Sequence, residues 1–534
     1  MVLAAITLNI KIPPMRKHLL IINLLLSCFF ISADAQTLEK VAEISTGFGS
    51  SNPYNFTAAA NKLFFVAKDD ANQFKLYVTE GTGATTQLLG PATVLNGTIY
   101  SMIAYNGKLF FTCNDGINGQ ELWTSDGTVA GTVLFKDLYP GATGSFPTAF
   151  TVANGKLFFM GNGVNGERRL YVSDGTPAGT IIIRDNYIDI FNGFKDFAVF
   201  NNEIYFRSDG FPLFSYGLWK SDGTIAGTVL VKAGGLTPGV FGSNYAVLNN
   251  KMYFSGHDNI NGGELWVTDG TELGTHIVLN MRTDAVGILY SGSPMAMTVY
   301  NSKIYFSAQD DTHGQELFMT DGTAAGTVLV KDMLPGTEGS VPSQITIYNG
   351  FLYIINYYNR EMWKSDGTTA GTQLVKTVQE SSRFGAVWNN KMYLISGTGP
   401  YLWQSDGTAA GTDYAKATNS NSLITIYATD YYMTPYNNAL YFGGSNTDIS
   451  QSTEPLRFVS STIIHNFSFT GSGNWSNPAN WAGGIVPPAI LMAGDNVVIN
   501  GNCILDIAVQ AQPGSSITVA AGKSLLILGS LTMK

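Results

Sequence analysis

A ten-residue phrase constrains this chain more than any other feature. WTSDGTVAGT at 123–132 returns as YVSDGTPAGT at 171–180, WKSDGTIAGT at 219–228, WVTDGTELGT at 266–275, FMTDGTAAGT at 318–327, WKSDGTTAGT at 363–372 and WQSDGTAAGT at 403–412. A worn copy, YVTEGTGATT, stands at 77–86. A second phrase, an Asn followed by an apolar and aromatic run, keeps step with it. It reads NKLFF at 61–65, NGKLFF at 106–111 and at 154–159, NEIYF at 202–206, NKMYF at 250–254, NSKIYF at 301–306, NGFLYI at 349–354, NKMYL at 390–394 and NALYF at 438–442. Copies lie mostly 41 to 52 residues apart, the period of a propeller blade and too long for a short solenoid coil.

Residues 345–377 show what one unit holds: four β-rich runs of five to seven residues separated by turn residues, with no helical stretch. Asn-Gly between the first two runs is a strong hairpin signal, because a type I′ turn needs positive φ at both central residues. Asp-Gly marks the reversal between the third and fourth. Without helices for parallel crossovers the strands must be antiparallel, and their near-continuous apolar character fits sheets covered on both faces. These features predict an all-β protein, a β-propeller of four-stranded blades. The ninth unit has three strands, around Met433–Tyr436, Ala439–Phe442 and Pro455–Ser460, and lacks a fourth, while Leu38–Ile44 precedes the first unit with the character of a fourth strand. Pairing these ends closes the ring and removes two exposed edges. That gives nine blades, or eight if a terminal unit is degenerate; an open superhelical array is the lesser alternative.

Closure by the N-terminal strand makes the fourth strand outermost and places the decapeptide turn at the rim. Asp126, Asp174, Asp222, Asp269, Asp321, Asp366 and Asp406 therefore read as structural turn residues that accept hydrogen bonds from their own backbone, each followed by a Gly that supplies positive φ. Seven equal copies also speak against catalysis, which needs one asymmetric constellation. The phrases ELWTSDGT at 121–128, ELWVTDGT at 264–271 and EMWKSDGT at 361–368 resemble the ELWxxDGT repeat family of exported bacterial proteins. The resemblance covers roughly residues 38–460 and implies a secreted repeat protein with no established chemistry. The turn is also similar to the Asp-box of sialidase-type propellers, although it lacks that box's spacing between Asp and Gly.

Met15-Arg16-Lys17-His18, the apolar Leu19–Ile31 and Ala33-Asp34-Ala35 have the three parts of a signal peptide cleaved before Gln36. The apolar run is short for a membrane anchor. Leu25–Cys28 also reads as a lipobox, but the run continues past Cys28 to a better cleavage site. The expected organisation is a signal peptide at 1–35 with a non-structural extension at 1–14, a propeller at 36–462 and a β-solenoid-like module at 463–534. The formal charge is −9, and loss of Lys11, Arg16, Lys17 and Asp34 with the leader makes it two units more negative. Such a balance argues against nucleic acid or anionic membrane surfaces as partners. Cys113 and Cys503, the cysteines left after cleavage, form no disulfide framework or metal-ligand spacing.

From His465 the texture changes. Trp475 and Trp481 stand among turn residues, followed by short β runs every 10 to 20 residues that suggest a β-solenoid. The W-S-x-P-x-N-W pattern resembles modules appended to bacterial surface proteins, and the two rings read as core packing rather than sugar platforms. The chain ends at Lys534 on a β run without a polar cap, as a truncated module would.

No zinc spacing, G-x-S-x-G motif, P-loop or Cys–His pair occurs, so no catalytic, metal or cofactor-binding residue is assigned. Glu121, Glu264, Glu316 and Glu361 of the ELW-type phrases read as strand-edge backbone partners. The loops at 113–120, 256–263 and 308–315 are rich in Asp and Asn, which makes calcium the one candidate ion, although Asx-Gly turns account for them without it. On the same face, the fourth-to-first connections carry Tyr139, Phe146, Tyr187, Phe191, Phe194, Phe241 and Tyr290, the candidate ligand-binding residues. The resulting expectation is a secreted or cell-surface protein, not an enzyme, whose loop face binds an extracellular polysaccharide or a surface protein as an adhesion platform. The alternative is a propeller hydrolase or lyase acting on extracellular polysaccharide.

Overall fold

A computed structural model describes residues 36–46, 49–89, 99, 101–163, 167–184, 197–210, 215–233, 237–238, 245–258, 260–282, 292–378, 382–395, 401–426 and 433–460. In the C-terminal part it describes 466–477, 480–482, 486–487, 490–491, 496–506, 508–511, 516–520, 523–527 and 530–533.

Strand pairing divides 36–460 into nine antiparallel sheets. Blades 1 to 9 occupy 54–88, 102–136, 148–184, 198–232, 237–279, 295–331, 342–377, 383–414 and 425–460, the last completed by 36–40. Blade 2 is representative: Met102–Tyr105, Lys108–Asn114, Gln120–Ser125 and Val133–Lys136 lie in that spatial order. Leu109 to Cys113 and all of Gln120–Ser125 are buried on both faces, as expected of sheets stacked face to face. First strands run beside one another at most blade boundaries, and blade 9 meets blade 1 in the same way, so the first strand is innermost and the sheets close a ring. The Asn-led inner turns are in the left-handed region, for example Asn106 at φ 48° and Gly107 at 70°, the geometry that a type I′ hairpin requires.

The ring closes as the repeat pattern implies. Gln36–Lys40 pairs antiparallel with Ser450–Ser460, Gln36 opposite Ser460 and Lys40 opposite Leu456. Its outer edge is also covered. Asn419 accepts from the Leu38 N–H and donates to the Leu38 carbonyl, both at 2.9 Å, so one side chain replaces a strand partner. Arg457 reaches across to Glu39 with Nε at 2.9 Å and Nη2 at 2.7 Å.

Around the axis, the second residue before each inner turn is apolar in all nine blades: Ala58, Ala104, Val152, Val199, Val247, Val299, Ile347, Val387 and Pro435. Most are solvent-exposed, so the ring presents an aliphatic belt to its own centre. Residues 466–533 form a separate region of parallel strands in three sheets of three, the stacking of a solenoid. Trp475 and Trp481 lie inside it, ring centroids 4.8 Å apart, and Trp481 Nε1 donates to the Trp475 carbonyl at 2.7 Å.

Candidate functional site

Each decapeptide closes on itself through one network. In blade 2, Asp126 Oδ1 accepts from Thr128 N at 2.9 Å and Thr128 Oγ1 at 2.7 Å. Thr128 Oγ1 in turn accepts from Gly131 N at 2.9 Å, and Thr132 Oγ1 donates to the Thr128 carbonyl at 2.7 Å. The same bonds recur at Asp174, Asp222, Asp269, Asp321, Asp366 and Asp406. The threonine hydroxyl and N–H hold the first six of these seven carboxyls below the usual carboxylate range. These carboxylates are therefore occupied within their own turns.

The turns also touch the preceding blade. Lys62 Nζ donates to the Gly127 carbonyl at 3.0 Å, Tyr305 Oη to Gly367 at 3.3 Å and Tyr353 Oη to Gly407 at 3.4 Å. Nearer the axis, Tyr105, Tyr300, Tyr348 and Tyr436 donate to the next blade's inner turn, at Gly155, Gly350, Asn390 and Asn61, over 2.5–2.8 Å. At the rim, Lys136 reaches the carbonyls of Pro177 and Thr180 at 2.7 Å.

On the opposite face, buried glutamates organise the fourth-to-first connections. Glu121 accepts from Leu138 N at 2.9 Å, Tyr139 N at 3.3 Å, Ser145 N at 2.7 Å and Ser145 Oγ at 2.6 Å. Glu316 does the same with Met333, Leu334 and both Ser340 donors at 2.7–3.1 Å. Glu264 holds Met281 N at 2.9 Å and Gly292 N at 3.0 Å; Glu454 holds Ile44 N at 3.1 Å and Ser51 Oγ at 2.7 Å. Glu361 differs, accepting from Trp363 Nε1 at 2.8 Å and Asn359 Nδ2 at 2.5 Å. Burial raises the pKa of all four clamp carboxyls, and that of Glu264 reaches about 7. There Gly292 stands where the other three clamps have a serine, so no hydroxyl offsets the desolvation.

Each clamp ends one residue before a strained position. Asn52, Phe146, Ser293 and Val341 have φ of 46°, 51°, 44° and 51°, and each is followed by proline. Positive φ is unusual at a β-branched residue such as Val341, and it persists only where the surroundings hold it. The clamp on one side and the first strand on the other supply that hold. The sequence reading missed both Glu454 and the Ser/Gly-x-Pro partners. Their signal was a Glu at the aligned third-strand position with Ser-x-Pro 24 residues on, as in Glu121–Ser145 and Glu316–Ser340.

Of the aromatic residues nominated for ligand binding, Tyr139 and Phe146 are described. Tyr139 is half-buried with its N–H on Glu121, while Phe146 is exposed at the strained position. Tyr187, Phe191, Phe194, Phe241 and Tyr290 lie outside the described residues. The Asp- and Asn-rich loops satisfy themselves: Asp115 accepts from the N–H groups of Ile117 and Asn118 and from Asn118 Nδ2 at 2.7–2.8 Å, and Asp258 repeats the pattern. Among the described residues no group of three or more His, Cys, Asp or Glu side chains is placed to hold a metal ion. Burial pushes the Cys113 thiol up to about 12 and that of Cys503 to about 11, so neither is a thiolate at neutral pH. No helix among the described residues is long and apolar enough to cross a membrane.

No family model matches the chain, and no curated protein matches it. Solved structures are similar at low identity. A computationally designed protein, Ika8, has TM-score 0.36 and 12% identity over 70% of this chain and 98% of its own. A prolyl endopeptidase has TM-score 0.36 and 10% identity over 67% of this chain and 55% of its own. Oligopeptidase B from Leishmania major has TM-score 0.36 and 10% identity over 67% and 53%. This chain thus spans about half the length of the two enzymes. Two of the three are peptidases by description. The expectation of a non-enzymatic adhesion or carbohydrate-binding platform is corrected accordingly. At the two described positions of the loop face, Tyr139 is half-buried and Phe146 exposed.

Proposed function

We propose that this chain is an exported propeller hydrolase or lyase acting on an extracellular polysaccharide, with its reacting groups on the connections that border the axis opposite the decapeptide turns. The observation that carries the reading is the set of glutamate clamps. Loops that carry chemistry must hold their groups to within a fraction of an ångström, and buried carboxylates at Glu121, Glu264, Glu316 and Glu454 fix four such connections to rigid strands. The leader ending at Ala35 supports export, and the ELW-type phrases support kinship with the ELWxxDGT repeat proteins.

The test is turnover. Mature protein is incubated with a panel of extracellular polysaccharides, and new reducing ends or unsaturated products are measured, with polypeptides assayed alongside. Polysaccharide cleavage that falls at least tenfold in Glu121→Gln while the fold is retained is the expected result; the clamp loses an acceptor, and misplacement on that scale has effects of this size. Cleavage of polypeptides alone replaces the substrate class, and inertness towards both overturns the reading.

A further inference from the structure

The strand that closes the ring begins at Gln36, whose carboxamide is sealed inside the protein. Gln36 is 2% exposed. Its Nε2 donates to Gln404 Oε1 at 3.0 Å and to the Lys416 carbonyl at 2.6 Å, and its Oε1 accepts from the Tyr393 hydroxyl at 2.5 Å. Both amide protons and the oxygen are therefore engaged. All three partners belong to blade 8 or the segment that follows it, so the side chain ties the seam between blades 8 and 9. Its backbone carbonyl accepts from Thr418 N at 2.8 Å.

With the leader removed after Ala35, a boundary on which this inference rests, Gln36 bears the free α-amine of the mature chain. We propose that Gln36 is a modification site, an N-terminal glutamine that cyclises to pyroglutamate while the ring is open and is protected once it closes. In the reaction the α-nitrogen lone pair attacks Cδ, the N–Cδ bond forms, and the Cδ–Nε2 bond breaks. Nε2 leaves as ammonia with a proton taken from the attacking nitrogen, and no other reactant is needed. In the closed ring the carboxamide points into blade 8 on an extended backbone, held by three hydrogen bonds, and cannot fold back onto its own nitrogen. The coupling works in both directions. A cyclised residue has lost both Nε2 donors, which leaves Gln404 Oε1 and the Lys416 carbonyl without them in the seam, so modification before closure weakens closure.

The experiment uses the full mature chain released with Gln36 at its terminus. The N-terminal peptide is followed by mass spectrometry during incubation in native buffer and in urea. Loss of ammonia should be slower by about tenfold or more in native buffer, because reaction requires local opening of the strand. Tyr393→Phe, which removes the donor to Oε1 and keeps the ring, should raise the native rate. Protein cyclised in urea and then refolded should melt below uncyclised protein. Equal rates in the two solvents overturn the proposal. Terminal sequencing of the exported protein tests the boundary separately: a mature end other than Gln36 overturns the site in the cell, whatever the rate comparison shows.

Discussion

The second glycine of the decapeptide shows how one residue dictates another. A β-carbon on Gly274 would lie 2.0 Å from Asp269 Oδ1, and the other copies are equally tight. Asp and Gly five residues apart are thus one device: the carboxylate fills the space that a side chain would need. The worn copy supports this, because Glu80 replaces the Asp, Thr85 replaces the Gly, and Thr85 Oγ1 accepts from Thr82 N at 3.2 Å in the carboxylate's place. Gly274→Ala should destabilise by about 1–3 kcal/mol, as overpacking does. The loss should shrink when Asp269→Ala is already present, a coupling that a double-mutant cycle of melting temperatures measures. A pH effect belongs to Glu264. Its folded pKa, about 7, lies above the ordinary 4.5, so its contribution is full below about 4.5 and is lost as pH rises through about 7. Melting temperature should therefore fall over that interval, and Glu264→Gln should flatten the slope. The turn aspartates act oppositely, their contribution being lost as pH falls below the ordinary carboxylate range.

Blades are joined by tyrosine and lysine side chains that donate to turn carbonyls next door, a relation between elements rather than within one. Tyr348→Phe removes a 2.5 Å bond to the Asn390 carbonyl while keeping the ring's edge-on contact with Tyr353. The expected loss is about 1 kcal/mol, read as a lower denaturation midpoint at unchanged slope. The strands, inner hairpins and Asp–Gly turns were legible in the sequence because their causes lie within ten residues: Asn-Gly forces the hairpin, and Asp caps its own backbone. The period fixed the blade as a unit and left the number at eight or nine, because the first or last unit could be degenerate. The clamps were half legible. Glu121 and Glu316 were recognised as backbone partners, but Ser145 and Ser340 lie a whole strand and loop away and gave no local sign. The loop aromatics were nominated by residue type together with their place on the fourth-to-first connections. At Tyr139 the backbone N–H also serves a clamp.

At the scale of the whole molecule, one short strand turns a row of sheets into a ring. Deleting 36–40 should expose the long edge Ser450–Ser460 and promote self-association, measured by light scattering against the intact chain; a deletion variant as soluble and stable as its parent would argue that blade 9 needs no fourth strand. Thr37 and Val459 sit together in the closed ring although 422 positions separate them in the chain. A polypeptide is synthesised from its N-terminus, so the strand needed last emerges first. Until 450–460 has followed, that strand has no partner, and eight completed sheets wait with an open seam. Pairings this distant are slow to form and leave edges available to other chains in the meantime. Assembly of this protein should thus be limited by the arrival of its final blade, and a passage that retains the chain until then should raise the yield of closed rings.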